Sequence, residues 1–252
     1  MRHHWLNRAA NDKLIMFFGG WSFDHKPFGF LDCEDYDVVM FYDYTDLSTP
    51  DIPAYKHVYL VTWSMGVFIA YLLKNQLPQF ERKIAINGTP FPVDDNYGIP
   101  QKVFDLTLTH ARTGLEGKFY RNVMGENFER YLLSPVARSI ENRVKELHAI
   151  SRHAELVSAS QGLHDNATLW ETRHFARNQK ISAKVVKRVQ GDVCEPFYDF
   201  AIIGRQDKIV PAKNQINFWQ GRVPYKLLET GHFPFYNYTN WNEILRSEML
   251  CR

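Results

Sequence analysis

Three short stretches near the start of the chain, residues 14–18 (LIMFF), 38–42 (VVMFY) and 58–63 (VYLVTW), are apolar without alternation. A strand with one wet face alternates polar and apolar side chains, so an unbroken run bounded by turn residues fits a strand buried on both faces. Such strands belong almost entirely to parallel sheets covered by helices on each side, which sets the fold class as α/β with a mostly parallel central sheet. The first run stops at Gly19-Gly20. The third leads into Ser64-Met65-Gly66 and then residues 67–73 (VFIAYLL), apolar all round and read as the buried helix that follows the strand.

Residues 84–86, closed by Asn87-Gly88, predict a fourth strand, and the same texture returns only at residues 200–204 (FAIIG) and 225–228 (YKLL), ahead of a closing helix predicted over 241–250. The sheet is therefore interrupted. Between Asn96 and Asp192, apolar residues recur at three and four, as in 104–109 and 136–150, the spacing of amphipathic helices laid over a sheet as a lid. The organisation expected is a core in two parts, residues 1–97 and 193–252, around a helical insertion at 98–192. A length of 252 residues suits one such domain. Residues 151–190 have weak periodicity and receive no assignment.

With 30 basic and 28 acidic side chains the formal charge is only +2, too little for the whole molecule to act as a nucleic-acid binder through its field. The distribution is uneven: residues 102–188 hold 15 Lys and Arg against 9 Asp and Glu, a net of +6, leaving −4 for the remainder. No run approaches the roughly 18 apolar residues of a spanning helix, and the opening MRHHWLNRAANDK has no apolar signal core, so neither a membrane nor an export route is expected. Cys33, Cys194 and Cys251 are scattered and form no C-x-x-C pair, which suits a reducing compartment such as the cytoplasm.

A serine at a sharp turn between a buried strand and a buried helix holds its Oγ clear of the sheet, and a glycine two positions later lets the helix pass close by. Ser64 with Gly66 fits that turn, although the glycine that usually leads the G-x-S-x-G pattern is here Thr62, and a helix N-cap serine would also fit. Chain order adds to it. Serine hydrolases of strand–turn–helix type run Ser, acid, His, the last two in loops after late strands. Asp207 follows residues 200–204 within Arg205-Gln206-Asp207-Lys208, and His232 follows residues 225–228 within Thr230-Gly231-His232-Phe233. In this arrangement His232 is the base that activates Ser64 and Asp207 orients the imidazole.

The tetrahedral oxyanion needs two donors, one expected from the backbone N–H of Met65 after the nucleophile and one from the loop after an early strand, where Gly19-Gly20-Trp21 makes the Trp21 N–H the candidate. His3-His4 lack partner ligands and are expected in solvent; no H-E-x-x-H or paired-carboxylate spacing supports a metal. The stretch at Gly19 is neither G-x-G-x-x-G nor a phosphate loop, so no cofactor is implied.

With Phe17-Phe18-Gly19-Gly20-Trp21, Thr62-Trp63-Ser64-Met65-Gly66, the acid loop at 204–211 and Gly231-His232 in view, the chain resembles the BioG family of the α/β-hydrolase superfamily over residues 14–92 and 200–241. The resemblance implies a pimeloyl-[acyl-carrier protein] methyl ester esterase of biotin biosynthesis, releasing methanol from a substrate held on acyl carrier protein. Because a carrier protein is acidic, the basic insertion is a candidate docking surface, with Arg112, Lys118, Arg121 and Arg130 as its cations. Phe104, Phe119 and Phe128 are candidates to face the acyl chain. A general carboxylesterase or thioesterase would share the triad, and a binding-only hydrolase fold would lack a member of it.

Overall fold

The computed structural model describes residues 1–161, with side chains to 155, and residues 196–247. Strands β1 (Arg2–Asn7), β2 (Lys13–Phe18), β3 (Tyr36–Tyr42), β4 (His57–Trp63), β5 (Arg82–Ile86), β6 (Phe200–Gly204) and β7 (Tyr225–Leu228) form one sheet in the order β1-β3-β2-β4-β5-β6-β7. Every neighbouring pair is parallel except β1 on β3. The apolar runs are the interior strands, and in β2 Leu14 through Phe18 are all buried, as expected for a strand covered on both faces.

The antiparallel strand β1 was not expected from its polar sequence. RHHWLN is an edge strand, exposed at Arg2 and His3 and half-buried from His4 onward, so its composition reflects a border rather than a core. His4 is also not a free solvent residue: its ring stacks on His25 at 3.5 Å between centroids.

Helix α1 (Met65–Leu72) begins immediately after β4 and is buried from Met65 to Ala70. Helices α2 (Gln101–Thr109), α3 (Ala111–Glu116), α4 (Phe119–Met124), α5 (Phe128–Tyr131) and α6 (Ile140–Gln161) make up the described part of the insertion. Helix α6 starts at Ile140, four residues later than the periodicity placed it, after a non-helical stretch that includes Pro135. In the second part of the core, α7 (Ala212–Trp219) follows the acid loop and α8 (Trp241–Leu245) follows the histidine loop. Helix α8 is shorter than predicted, turning at Arg246; the rest of the prediction to 250 and most of the unassigned segment to 190 lie outside the described residues.

The chain reverses direction across the sheet between β2 and β4: β3 lies on one side of β2, while β4 and later strands extend the other way. Loops leaving adjacent strands at such a point splay apart and leave a crevice at the carboxyl ends of the strands. The loop after β2 holds Trp21 and the turn after β4 holds Ser64, so both sides of the crevice carry candidate groups. Beneath it Phe17 packs on Phe28, Phe235 and Trp241 with ring centroids 4.9, 5.6 and 4.9 Å away, fixing β2 to the segment that follows His232. Among the described residues no helix is long and apolar enough to cross a membrane.

Candidate active site

Ser64 sits between β4 and α1 with φ 56° and ψ −125°, a backbone conformation that a residue with a Cβ adopts only where its surroundings impose it. Its N–H donates to the Ile86 carbonyl of β5 at 2.9 Å, which pins the turn to the neighbouring strand. Gly66 explains why the helix can leave so sharply: a Cβ there would lie 2.2 Å from the Phe18 carbonyl oxygen and 2.6 Å from that of Gly19. Thr62, where a leading glycine is usual, is fully buried and donates its hydroxyl to the Ile84 carbonyl at 3.0 Å, so the sheet absorbs it without disturbing the turn.

The two later loops bring the remaining groups to Ser64. His232 Nε2 lies 2.8 Å from Ser64 Oγ, and His232 Nδ1 lies 2.8 Å from Asp207 Oδ2. A carboxylate at Nδ1 selects the tautomer that leaves Nε2 free to take the serine proton. Asp207 Oδ1 accepts the N–H groups of Ile209 and Val210 at 2.8 and 2.9 Å, and Oδ2 also accepts Gln215 Nε2 at 3.0 Å. The acid is thus held by its own loop and by α7. Its four bonds leave it little freedom to turn.

Sequence reasoning did not single out the residues that hold these loops together. Asn87, read only as the end of a strand, is fully buried with φ 45°. Its Nδ2 donates to the carbonyls of Gly231 and His232 at 3.1 and 2.9 Å, while its Oδ1 accepts the Gly204 N–H at 2.6 Å. One amide therefore ties β5 to the loops that carry both partners of Ser64. Trp63 adds a second tie, its indole N–H reaching the His232 carbonyl at 2.8 Å. An Asn-Gly after a strand ordinarily signals a turn, so the only sequence signal for Asn87 points elsewhere.

Trp21, Ser64 and Met65 all line a cavity of about 320 Å³. The Trp21 backbone N–H finds no acceptor among the described residues, whereas its indole N–H donates to the Arg143 carbonyl at 2.7 Å. Gly20 is needed beside it, since a Cβ there would come within 3.1 Å of the Ser64 Cβ and 2.9 Å of the Trp63 ring. The cavity walls are mainly apolar and include Phe104, Phe119, Ile99 and Leu147, with Lys118 and Lys208 among the polar members. Phe128 does not line it; that ring lies under the Arg121 guanidinium, 4.2 Å from its carbon, and the expectation that it faces the cavity is corrected.

The four cations expected to dock a carrier, Arg112, Lys118, Arg121 and Arg130, are all exposed, and three have neighbours of their own. Arg112 pairs with Glu141 at 2.8 Å, and Arg130 covers the rings of Tyr236 and Phe30 at 4.1 and 5.0 Å, as Arg121 covers Phe128. Among the described residues no three His, Cys, Asp or Glu side chains converge so as to hold a metal ion.

The family described as "Pimeloyl-ACP methyl esterase BioG" matches residues 1–181 of the sequence. The chain belongs to the BioG family. A crystal structure of BioG from Haemophilus influenzae, 28% identical, superposes with a TM-score of 0.75 over 97% of this chain and 100% of that one. A malonyl-[acyl-carrier protein] O-methyltransferase from Bacteroides fragilis is 33% identical over 213 residues, 82% of this chain but 36% of that protein, so the chain spans only about a third of its length. A lipase-esterase related protein from Clostridium acetobutylicum, 14% identical, shares the fold alone, with a TM-score of 0.58 over 98% of both chains. This member of the BioG family is thus an α/β-hydrolase, with the mostly parallel sheet and flanking helices expected of that fold.

Proposed function

We propose that this BioG family hydrolase is a serine carboxylesterase that cleaves the methyl ester of a pimeloyl chain carried on acyl carrier protein, giving methanol and a free carboxylate. The observation that carries the reading is the continuous hydrogen-bonded line from Ser64 through His232 to Asp207, opening on an apolar cavity. His232 takes the proton of Ser64 as its Oγ attacks the ester carbonyl, and the imidazolium is stabilised by Asp207. The N–H groups of Met65 and Trp21 receive the oxyanion. His232 then returns the proton to the departing methoxide, and water repeats the sequence on the acyl-enzyme to release the acid.

The lining suits an acyl chain. Phe104 and Phe119 line the cavity beside Ile99 and Leu147, surfaces that favour methylenes over a polar group. Lys118, exposed yet lining the same cavity, together with the exposed Arg112, Arg121 and Arg130, supplies positive charge where an acidic carrier would approach. A cytoplasmic location accords with such a partner. The test is methanol release from the carrier-bound pimeloyl methyl ester beside hydrolysis of a short p-nitrophenyl ester, with Ser64→Ala as control. Strong preference for the carrier-bound ester, lost in the variant, supports the proposal. Activity on the short ester alone makes the protein a general esterase, and turnover by Ser64→Ala removes the nucleophile assignment.

A further inference from the structure

The loop after β2 is gripped from the insertion by a buried polar cluster that the reaction as written does not use. Glu146 of α6 is fully buried. Its Oε2 accepts the Ser22 backbone N–H at 3.1 Å and Arg138 Nη1 at 2.6 Å, and its Oε1 accepts the Tyr44 N–H at 3.0 Å. Arg138, also buried, reaches Asp43 at 3.2 Å as well, and Arg2 meets Asp43 from the other side at 3.3 Å, so two cations face the two carboxylates. An ionised group this deep persists only when it is paired and its remaining lone pairs are used. Arg138 meets the first condition, and the Ser22 and Tyr44 N–H groups meet the second.

The backbone it binds is that of the candidate oxyanion loop. Ser22, with φ 76°, directly follows Trp21, and the Tyr44 hydroxyl in turn donates to the Gly19 carbonyl at 2.8 Å. Glu146 therefore holds the loop on one side of Trp21 directly and on the other through Tyr44. Helix α6 adds the Arg143 carbonyl, which takes the Trp21 indole, and Arg143 Nη1 donates to the Tyr120 hydroxyl, which bonds Ser22 Oγ. Four of these bonds, from Glu146, Arg143, Tyr120 and Tyr44, end on the segment from Gly19 to Ser22, and the others brace the groups that make them.

We propose that Glu146 is a positioning residue for the oxyanion hole: by fixing the Ser22 and Tyr44 N–H groups it sets the direction of the Trp21 N–H, so that α6 is part of the catalytic frame as well as cover. This inference rests on the esterase reading. A donor aimed at developing charge acts in the transition state and not on the bound ester, so its misplacement lowers kcat and leaves KM nearly constant.

Glu146→Gln tests it. The amide keeps one acceptor but turns an NH2 toward a backbone N–H or Arg138, so one grip becomes donor against donor. The assay is hydrolysis of a short p-nitrophenyl ester, with affinity for a straight-chain trifluoromethyl ketone, which forms the oxyanion adduct on Ser64. The expected result is a kcat about 10 to 100-fold lower, somewhat less than complete removal of an oxyanion donor, with KM within about twofold and ketone affinity falling in step. The pH midpoint of kcat/KM should not move, since His232 and Asp207 are untouched. Tyr120→Phe, which deletes only the hydroxyl at Ser22, should show the same pattern about 3 to 10-fold deep and decides the matter if Glu146→Gln does not fold. A folded Glu146→Gln with parental kcat and ketone affinity, or a loss confined to KM, overturns the inference. Ser64→Ala run alongside separates the two layers: its loss of turnover with an unaffected Glu146→Gln sinks this inference alone, while its retained turnover sinks the esterase reading beneath it.

Discussion

Replacing Gly66 by alanine tests the architecture of the site without touching a reacting group. The added Cβ would lie 2.2 Å from the Phe18 carbonyl oxygen and 2.6 Å from that of Gly19, and real Cβ atoms essentially never come closer than 3.0 Å, so β2 and α1 must part by at least 0.8 Å. Neither oxygen can yield by itself: both belong to the backbone that leads from the central strand into the Trp21 loop, and the Gly19 oxygen also accepts the Tyr44 hydroxyl at 2.8 Å. Gly66 lies in the first turn of α1, next to Met65, so the parting separates the two N–H groups assigned to the oxyanion. A misplacement near 1 Å in such a frame costs about 100-fold in rate, and the overpacking itself costs about 1–3 kcal/mol of stability. The assay is kcat on a p-nitrophenyl ester together with urea unfolding of the same preparation. A Gly66→Ala protein that turns over within about threefold of the parent would refute the claim that this contact sets the oxyanion geometry.

Three further outcomes are expected. Ser64→Gly should abolish turnover yet raise stability in urea by about 1 kcal/mol, because glycine accepts φ 56° without the strain that serine carries there. Asn87→Ala should lower stability by about 2–4 kcal/mol, since it strips three hydrogen bonds from buried groups, and should reduce kcat at temperatures where circular dichroism still shows a folded protein. His153, half-buried on α6, is lowered to about 4 by desolvation, with Arg152 adding to the effect. The unfolded chain then binds a proton that the folded one refuses, so the contribution of His153 is intact above about pH 6.5 and is lost as pH falls toward 4. His153→Gln should flatten that part of the stability profile, and an identical slope in both proteins would count against it.

The central strands and the order of Ser64, Asp207 and His232 were legible because each depends on residues adjacent in sequence. A strand buried on both faces has to be apolar throughout, and a loop residue directly after such a strand stands at the carboxyl end of the sheet. Strand β1 was illegible for the converse reason: as an antiparallel border it keeps the composition of a surface segment. In the insertion, spacing identified helices, but their short lengths follow from breaks such as Gly117 and Gly125 and from packing that no local pattern records. Asn87, Gln215 and Glu146 were missed because their partners at Gly231, Asp207 and Ser22 are chosen by the fold, two of them more than 100 residues away. An isolated buried amide or carboxylate has no signature of its own in a single sequence.

The pairing of Ser64 with a base 168 residues further along has a consequence for how activity arises during synthesis. The turn at Ser64 and the strands around it can assemble early, but β6 and β7 join the sheet only after the whole insertion has been made, and His232 follows both. A growing or prematurely broken chain therefore contains the strained Ser64 without His232, the base proposed for it. If the proposed mechanism holds, hydrolysis has to wait for the late strands to dock, a step whose long-range contacts make it slow relative to the local helices. On the proposed mechanism, then, the serine of a nascent chain stays inert until the sheet is complete.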